Sequence, residues 1–252
     1  MLIRADYRNV AEYLAGLGFL EATSWFEAGV GARWTDEGIE IIPLDDELFR
    51  RVIGCFREAQ VEFDLPACKN PAKPPKESPL LLKVAGKEVP LNSWLDHLLE
   101  KKSVWSPGIS GQVAVMMIVR NAIDHIKKIG YEAKSHSIFG KEFAINGCPQ
   151  FRLDGSAAWT TIDIGFSPND AAIEIAARPF VELFSILGAQ SFFPQVSSTR
   201  GKNPQYFVWD EMLPLPICRL AARGAIPVRT RKFTARWLDA GSYGALSFAE
   251  EL

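Results

Sequence analysis

The chain has 252 residues, of which 48% are hydrophobic, and its formal net charge is −2. It is long and apolar enough to bury a core of its own, yet no stretch approaches the roughly 18 apolar residues that a membrane span needs. The N-terminus shows no basic segment followed by a long apolar run, so no secretory leader is indicated and a cytoplasmic location is expected.

The small net charge hides a segregation of charge along the chain. Residues 1–68 carry six Lys/Arg against thirteen Asp/Glu, whereas residues 69–141 carry twelve against six. Further on, residues 197–236 carry eight basic and two acidic residues. Two basic tracts beside an acidic N-terminal part indicate one side that faces a polyanion and another that faces proteins or solvent.

The first predicted elements are a helix, a hairpin and a second helix. Apolar residues at 10, 13, 14, 17 and 20 predict a helix with one buried face. Gly18 would cap its C-terminus, or else Gly16 and Gly18 allow another backbone to approach closely. A hairpin around 36–38 follows, and Asp45 or Asp46 caps a second helix. The apolar face of that helix is predicted to consist of Leu48, Phe49, Val52, Ile53 and Phe56.

The middle of the chain begins with a break in regular structure. Five prolines and three lysines within residues 64–79 predict a linker or an exposed loop. A hairpin around 85–87 and a well-defined helix over 110–129 follow. We therefore divide the chain into an N-terminal α+β part (1–63), the linker or loop, and an α+β part with a basic C-terminal region (80–252), with one integrated domain as the alternative.

The C-terminal part is predicted to contain strand-like runs at 205–213 and 228–238 on either side of a short helix. A preceding helix over 178–188 repeats the first helix at an offset of 170, with Leu187-Gly188 over Leu17-Gly18. The expected fold class is α+β, with mixed antiparallel sheets and packed helices. The repeat indicates an internally duplicated helix–strand unit, although helices that end in Leu-Gly also recur by chance.

Motifs for catalysis are not evident in the sequence. The four cysteines form no C-x-x-C pair, and the three histidines have no metal-ligand spacing. Neither a phosphate-binding loop nor a nucleophile elbow occurs. Asp154 and Asp163 offer an acid/base or metal-binding pair, but turn or capping roles are commoner for such residues. We therefore expect no catalytic residue, no metal and no cofactor.

Two segments favour binding over catalysis. The first is the loop 197–204, where Arg200, Lys202 and Asn203 stand among hydroxyl donors, a composition that suits phosphate oxygens. The second is the tract 229–237, which interleaves cations with aromatic residues.

The tract has a defined geometry if it forms a strand. Arg229, Arg231 and Phe233 then share one face, and Lys232 lies on the other. Bases would stack on Phe233 or Trp237 while the arginines follow the phosphates. The alternative is an amphipathic edge strand whose charges protect it from aggregation.

Three ordered blocks carry a resemblance to a known family. They are Asn9 with Leu14-Ala-Gly-Leu-Gly-Phe-Leu-Glu and Trp34; Phe151-Arg-Leu-Asp154 with Trp159 and Asp163-Ile-Gly-Phe-Ser-Pro-Asn-Asp; and Arg178-Pro with Glu182-Leu-Phe-Ser-Ile-Leu-Gly. Together they resemble CRISPR-associated proteins of the type I systems of subtypes U and G, which are similar to the large subunit of Cascade. The chain departs from the family at Val10, where proline is usual, and residues 64–141 match nothing in it.

The resemblance implies a non-catalytic subunit of a guide-RNA surveillance complex. Its partners would be guide RNA, target DNA with a short flanking motif, other Cascade subunits and a transiently recruited helicase-nuclease, with no membrane involved. Protein in such complexes reads the flanking motif and backbone shape, while base pairing reads the sequence. The alternatives are a metal-dependent nuclease and a purely structural interaction subunit.

The residues expected to contact nucleic acid come from the two segments and from the motif match. Asn203 is the expected reader of a base. Ser167 and Asn169 are carried from the motif match alone, and a structural turn is the alternative for them. The remaining expected contacts are Arg200, Lys202, Arg229, Arg231, Lys232 and Arg236.

Overall fold

The computed structural model describes residues 1–68, 70–72, 78–93, 95–96, 101–102, 115–128, 135–140, 143–145, 153–154, 175–192, 194–196, 203–240 and 243–252. Within these ranges five α-helices occur. They are α1 (Val10–Thr23), α2 (Asp46–Arg57), α3 (Val115–Lys128), α4 (Pro179–Ser191) and α5 (Leu215–Ala221).

The strands of the described ranges pair antiparallel throughout. They are β1 (Leu2–Arg4), β2 (Gly31–Thr35), β3 (Gly38–Ile42), β4 (Gln60–Phe63), β5 (Leu80–Val84), β6 (Lys87–Leu91), β7 (Leu95–Asp96), β8 (Lys101–Lys102), β9 (Phe143–Ile145), β10 (Ile175–Ala177), β11 (Gln195–Val196), β12 (Pro204–Trp209), β13 (Leu213–Pro214), β14 (Thr230–Thr234), β15 (Trp237–Ala240), β16 (Tyr243–Leu246) and β17 (Glu250–Glu251).

Three larger sheets are formed, with the strand orders β1-β3-β2-β13, β4-β5-β6 and β11-β12-β14-β17. Three two-stranded pairs accompany them: β7-β8, β9-β10 and β15-β16. Separate antiparallel sheets packed with helices confirm the predicted α+β class. The short strand β13 joins the sheet of the first hairpin, because Leu213 pairs with Ala32. The N-terminal and C-terminal parts of the chain therefore share a sheet.

Helix α1 lies at the centre of the core. The sequence predicted one buried face ending near Gly18, but twelve of the fourteen residues of α1 are buried and the helix continues to Thr23. A helix that is apolar on all sides must be surrounded, and here α4 packs along it while Trp34 of β2 and Ile39 of β3 meet it at Gly16.

The two central helices touch through a reciprocal glycine contact. A Cβ atom at Gly18 would overlap the carbonyl oxygen of Phe184, and one at Gly188 would overlap that of Leu14. At the offset of 170, Leu14 corresponds to Phe184 and Gly18 to Gly188, so the contact has an approximate two-fold symmetry. Close approach of another backbone is confirmed at Gly18, which is therefore not a C-cap, whereas Gly16 is met by the side chains of Trp34 and Ile39. Internal duplication stays a prediction, which this symmetry supports.

Helix α2 forms as its sequence predicts. The Asp45 side chain caps it by accepting a hydrogen bond from the backbone N–H of Leu48 at 2.8 Å. Its buried residues are Leu48, Phe49, Val52, Ile53 and Phe56. The hairpins β2–β3 and β5–β6 are confirmed as well, and in the second one Ala85 and Gly86 both have positive φ, as a tight hairpin turn requires.

Candidate nucleic-acid interface

Strand β14 carries Arg231, Lys232 and Phe233 of the predicted cationic tract and lies inside its sheet, whereas Arg229 precedes this strand and Arg236 follows it. It pairs with β12 along its whole length and with β17 at Phe233 and Thr234. The proposed edge strand is therefore wrong for the C-terminal half of β14, where both sides are paired.

The two faces of β14 separate Arg231 from Lys232, as the strand geometry predicted, whereas Arg229 precedes the strand. The Arg231 guanidinium lies over the Tyr7 ring, 4.9 Å from its centroid, and 5.8 Å from that of Phe233. Lys232 lies over Phe207, its partner on β12, with its Nζ atom 6.0 Å from the ring centroid. Arg231 and Lys232 therefore point to opposite faces of the sheet, and one bound nucleic-acid strand cannot contact both of them at once.

Phe233 is not available to stack against a base. Its side chain is 2% exposed, because it faces Tyr206 across the strand pair with the rings parallel at 6.0 Å. The prediction that bases stack on Phe233 is therefore wrong: cross-strand packing makes this ring part of the core. The side chain of Trp237 lies outside the described part of the structure.

Arg229 and Arg236 are the most exposed cations of the tract. The Arg229 side chain is 83% exposed, and its Nε atom lies 3.8 Å from the carboxylate of Asp210. Arg236 is 66% exposed and pairs with Glu250 at 3.0 Å. Exposed ion pairs of this kind contribute little stability, so phosphate can replace either carboxylate at small cost. Both arginines can therefore contact a nucleic-acid backbone.

The other expected contact residues are only partly described. Asn203 is half-buried immediately before β12. Arg200, Lys202, Ser167 and Asn169 lie outside the described residues, as does Asp163.

A cleft lined by charged residues of both signs opens on one side of Tyr7. The Tyr7 hydroxyl donates to the carboxylate of Asp36 at 3.4 Å, and a cleft of about 430 Å³ opens beside the ring. The charged residues that line this cleft are Arg4, Asp6, Arg8, Glu12, Asp36, Glu37 and Arg178. Because both signs of charge line it, the cleft is a poor channel for a phosphate backbone.

Sequence reasoning missed a buried ionic cluster next to this cleft. The Arg178 guanidinium donates to Asp154 through Nε at 2.8 Å and through a second nitrogen, and to Glu12 at 2.5 Å. Asn9 donates to the other oxygen of Asp154 at 2.7 Å. Burial lowers the pKa of Arg178, but the charges and hydrogen bonds of Asp154 and Glu12 outweigh it and raise the pKa overall.

The cluster joins the three blocks that carry the family resemblance. Asn9 belongs to the first block, Asp154 to the second and Arg178 to the third, and each is in direct contact with another. Their shared membership of these blocks was the one sequence signal that pointed to them. Asp154, which the sequence offered as an acid/base or metal-binding residue, is 4% exposed and has both carboxylate oxygens engaged.

The cluster also fixes the loop that carries Tyr7. Glu12 accepts a hydrogen bond from the backbone N–H of Asp6 at 2.7 Å. On the other side, the Tyr206 hydroxyl donates to the carbonyl of Tyr7 at 2.7 Å, and the N–H of Ala249 donates to the carbonyl of Arg8 at 2.7 Å. The loop is held from both sides, so the Tyr7 ring is a rigid support for Arg231.

The three cysteines that the structure describes are free thiols. Cys68 and Cys218 are buried and Cys55 is half-buried. Burial raises the pKa of Cys55 and that of Cys218 to about 12. Both are therefore protonated at neutral pH, as expected of cysteines that serve as small apolar residues.

Comparisons of the chain with protein-family models, with curated proteins and with solved structures found no match. In the described ranges, no three His, Cys, Asp or Glu residues stand together as a metal site would require. None of the helices within those ranges combines the length and the apolar character that crossing a membrane demands.

Proposed function

We propose that the chain is a non-catalytic, nucleic-acid-binding subunit of a type I CRISPR guide-RNA surveillance complex. In this role it contacts target DNA and its flanking motif beside the guide RNA, and it supports recruitment of the helicase-nuclease. The cytoplasm is the compartment that such a role requires.

One observation carries this proposal. The three blocks that resemble the family are far apart in the sequence, yet Asp154 contacts both Asn9 and Arg178 in a buried cluster. Chance similarities in separate segments have no reason to converge, whereas residues that build one shared fold do. The cluster fixes the loop of Tyr7, which in turn supports Arg231 on the cationic strand.

The exposure of the cations supports the nucleic-acid role. Arg229 and Arg236 project from opposite ends of the β14 region with weak carboxylate partners. Cations of this kind bind phosphates and position a protein on a nucleic-acid backbone without reading sequence. Sequence recognition would come from the guide RNA, so a few such contacts are sufficient.

A second function has an observation in its favour. Arg229, Arg231, Lys232 and Arg236 all have a carboxylate or an aromatic ring beside them within the chain. Cations satisfied in this way also occur on purely structural subunits, which hold neighbouring proteins and bind no nucleic acid. This alternative predicts that DNA affinity is absent or does not depend on salt.

Co-purification tests the proposed function. Tagged protein would be isolated from cells that express the neighbouring genes and a guide, and target-DNA binding would be measured with and without this subunit at two salt concentrations. We expect a guide-RNA complex whose affinity falls with salt by about one log-log unit per phosphate contacted. A complex that binds target equally well without the subunit would contradict the proposal.

Charge reversal localises the contact. Changing Arg229 and Arg236 to Glu should weaken binding to all DNA sequences alike, since phosphate contacts carry no sequence information. Arg50→Glu is the matched control, because Arg50 is exposed on α2, which packs against α1 and α3, whereas β14 pairs with β12 and β17. Equal affinities for the double variant and the control would exclude Arg229 and Arg236 from the interface.

A further inference from the structure

Arg231 is held differently from the other cations of the tract. Its planar guanidinium lies over the ring of Tyr7, and Tyr7 is fixed through its carbonyl by Tyr206 and through the neighbouring Asp6 N–H by Glu12. Arg231 is half-buried, so the residue is partly accessible to solvent. An arginine stacked on an aromatic ring presents its second face as a flat surface of fixed orientation.

We propose that Arg231 is a stacking platform for one base of a single-stranded nucleic acid, and that Arg229 binds a phosphate of the same strand. This inference rests on the proposed function and specifies the ligand of that site. Unpaired bases stack on arginine planes in proteins that bind single strands. Arg229 lies immediately before β14 and two residues from Arg231, and two residues of chain span at most about 7 Å, so neighbouring groups of one nucleic-acid strand can contact both.

The surrounding charges assign the base to Arg231 and the phosphate to Arg229. Asp36 accepts from the Tyr7 hydroxyl, and Glu251 is the register partner of Phe233, which places both carboxylates towards the Arg231 side of the sheet. Carboxylates repel a phosphate but tolerate an uncharged base. Arg229 pairs with Asp210 at 3.8 Å, and its side chain is 83% exposed.

The geometry favours a single strand over a duplex. In a duplex each base is stacked above and below and paired at its edge, so no base face is available to a guanidinium plane. The proposed contacts are with a base and a phosphate, and both groups occur in DNA and in RNA. Single-stranded DNA and RNA therefore share the chemistry that this site recognises. Parallel measurements with both sugars distinguish these two sources.

The test uses a ligand that lacks its bases and a protein variant that lacks the planar guanidinium of Arg231. Oligothymidylate of about 15 nucleotides, its abasic counterpart, oligouridylate and a duplex of equal length would be titrated into the full-length chain. Arg231→Lys keeps the charge and loses the plane, whereas Tyr7→Phe keeps the ring that supports Arg231. Arg229→Gln removes the phosphate contact, and circular dichroism checks that each variant is folded.

We expect Arg231→Lys to weaken binding to oligothymidylate about tenfold with an unchanged salt dependence, and to abolish the preference for oligothymidylate over the abasic strand. Tyr7→Phe should bind like the parent chain, and Arg229→Gln should reduce the salt slope by about one. Binding of oligothymidylate alone would identify the strand as DNA, and binding of oligouridylate alone would identify it as RNA.

Two outcomes overturn the inference, and they differ in what they leave standing. If the parent chain binds oligothymidylate and the abasic strand equally, or binds the duplex best, no base stacks on Arg231, yet the proposed nucleic-acid role survives. If the isolated chain and its guide-RNA complex bind no nucleic acid in a salt-dependent way, both the inference and the proposed function fail.

Discussion

Two arginine sites of this chain have the same kind of partner and opposite physical characters. Arg178 pairs with Glu12 and Asp154 in the interior, where its side chain is 11% exposed, whereas Arg236 pairs with Glu250 at the surface. In the interior, loss of one partner leaves charges that are largely shielded from water. At the surface, water and salt replace a lost partner at almost no cost. Burial, and not pairing, therefore decides which arginine maintains the fold and which is free to bind.

The largest effect should come from breaking the buried site. Arg178→Met leaves the carboxylates of Glu12 and Asp154 without a cation, and we expect the free energy of unfolding to fall by about 3–5 kcal/mol, measured by urea denaturation. Adding Asp154→Asn should restore part of the loss, because one of the two unpaired charges is then removed. A loss below about 1 kcal/mol for Arg178→Met would mean that water enters the cluster.

The sequence predicted elements whose signal is local and missed those that depend on distant partners. The buried face of α2 was predicted residue for residue, because its amphipathic spacing and its Asp45 cap lie within the helix itself. The surroundings of α1 were not predicted, because the helix that covers it, α4, lies about 170 residues further along the chain. Phe233 was predicted to stack against bases because nothing in its own segment identifies Tyr206 as its cross-strand partner.

The same distinction explains the candidate site. The alternation of Arg231 and Lys232 across β14 follows from strand geometry and was predicted. The Arg178 cluster joins residues 24 and 166 positions apart, and only the fold brings them together. The support that Tyr7 gives to Arg231 is likewise a contact between the two ends of the chain.

The next effect concerns the helix pair that brings the cluster together. Gly18→Ala places a methyl group against the carbonyl of Phe184, so α1 and α4 must move apart, and we expect a loss of about 1–3 kcal/mol in urea denaturation. Gly54→Ala is the matched control, since nothing lies within 4 Å of a Cβ there on α2. That control should gain up to about 1 kcal/mol from helix propensity. Equal effects of the two substitutions would mean that the helices separate without strain.

A smaller effect tests the connection between the two regions. Burial raises the pKa of Tyr206, whose neutral hydroxyl donates to Tyr7. In the unfolded chain the tyrosine loses its proton near its ordinary pKa of 10.0, while in the folded chain it keeps it. The unfolded state then binds fewer protons, so stability falls as the pH rises above 10, by about 1.4 kcal/mol per pH unit for this residue.

Tyr206→Phe isolates this contribution. At neutral pH the variant should lose about 1 kcal/mol with its hydrogen bond to Tyr7, and above pH 10 its stability should decline less steeply than that of the parent chain. Urea denaturation at several alkaline pH values measures both slopes, and the other titrating groups cancel in the difference. Identical slopes would show that Tyr206 ionises in the folded chain.

The smallest effect is expected at the surface pair. Arg236→Gln breaks the ion pair with Glu250, but both side chains are about two-thirds exposed, so the free energy of unfolding should change by less than about 0.5 kcal/mol. Affinity for DNA should nevertheless fall, with a shallower salt dependence, if Arg236 contacts phosphate. Glu250→Gln is the informative counterpart, because it frees Arg236 from its carboxylate and should raise that affinity. A large loss of stability in either variant would place this pair with Arg178 among the groups that maintain the fold, and Arg236 would then be unavailable for binding.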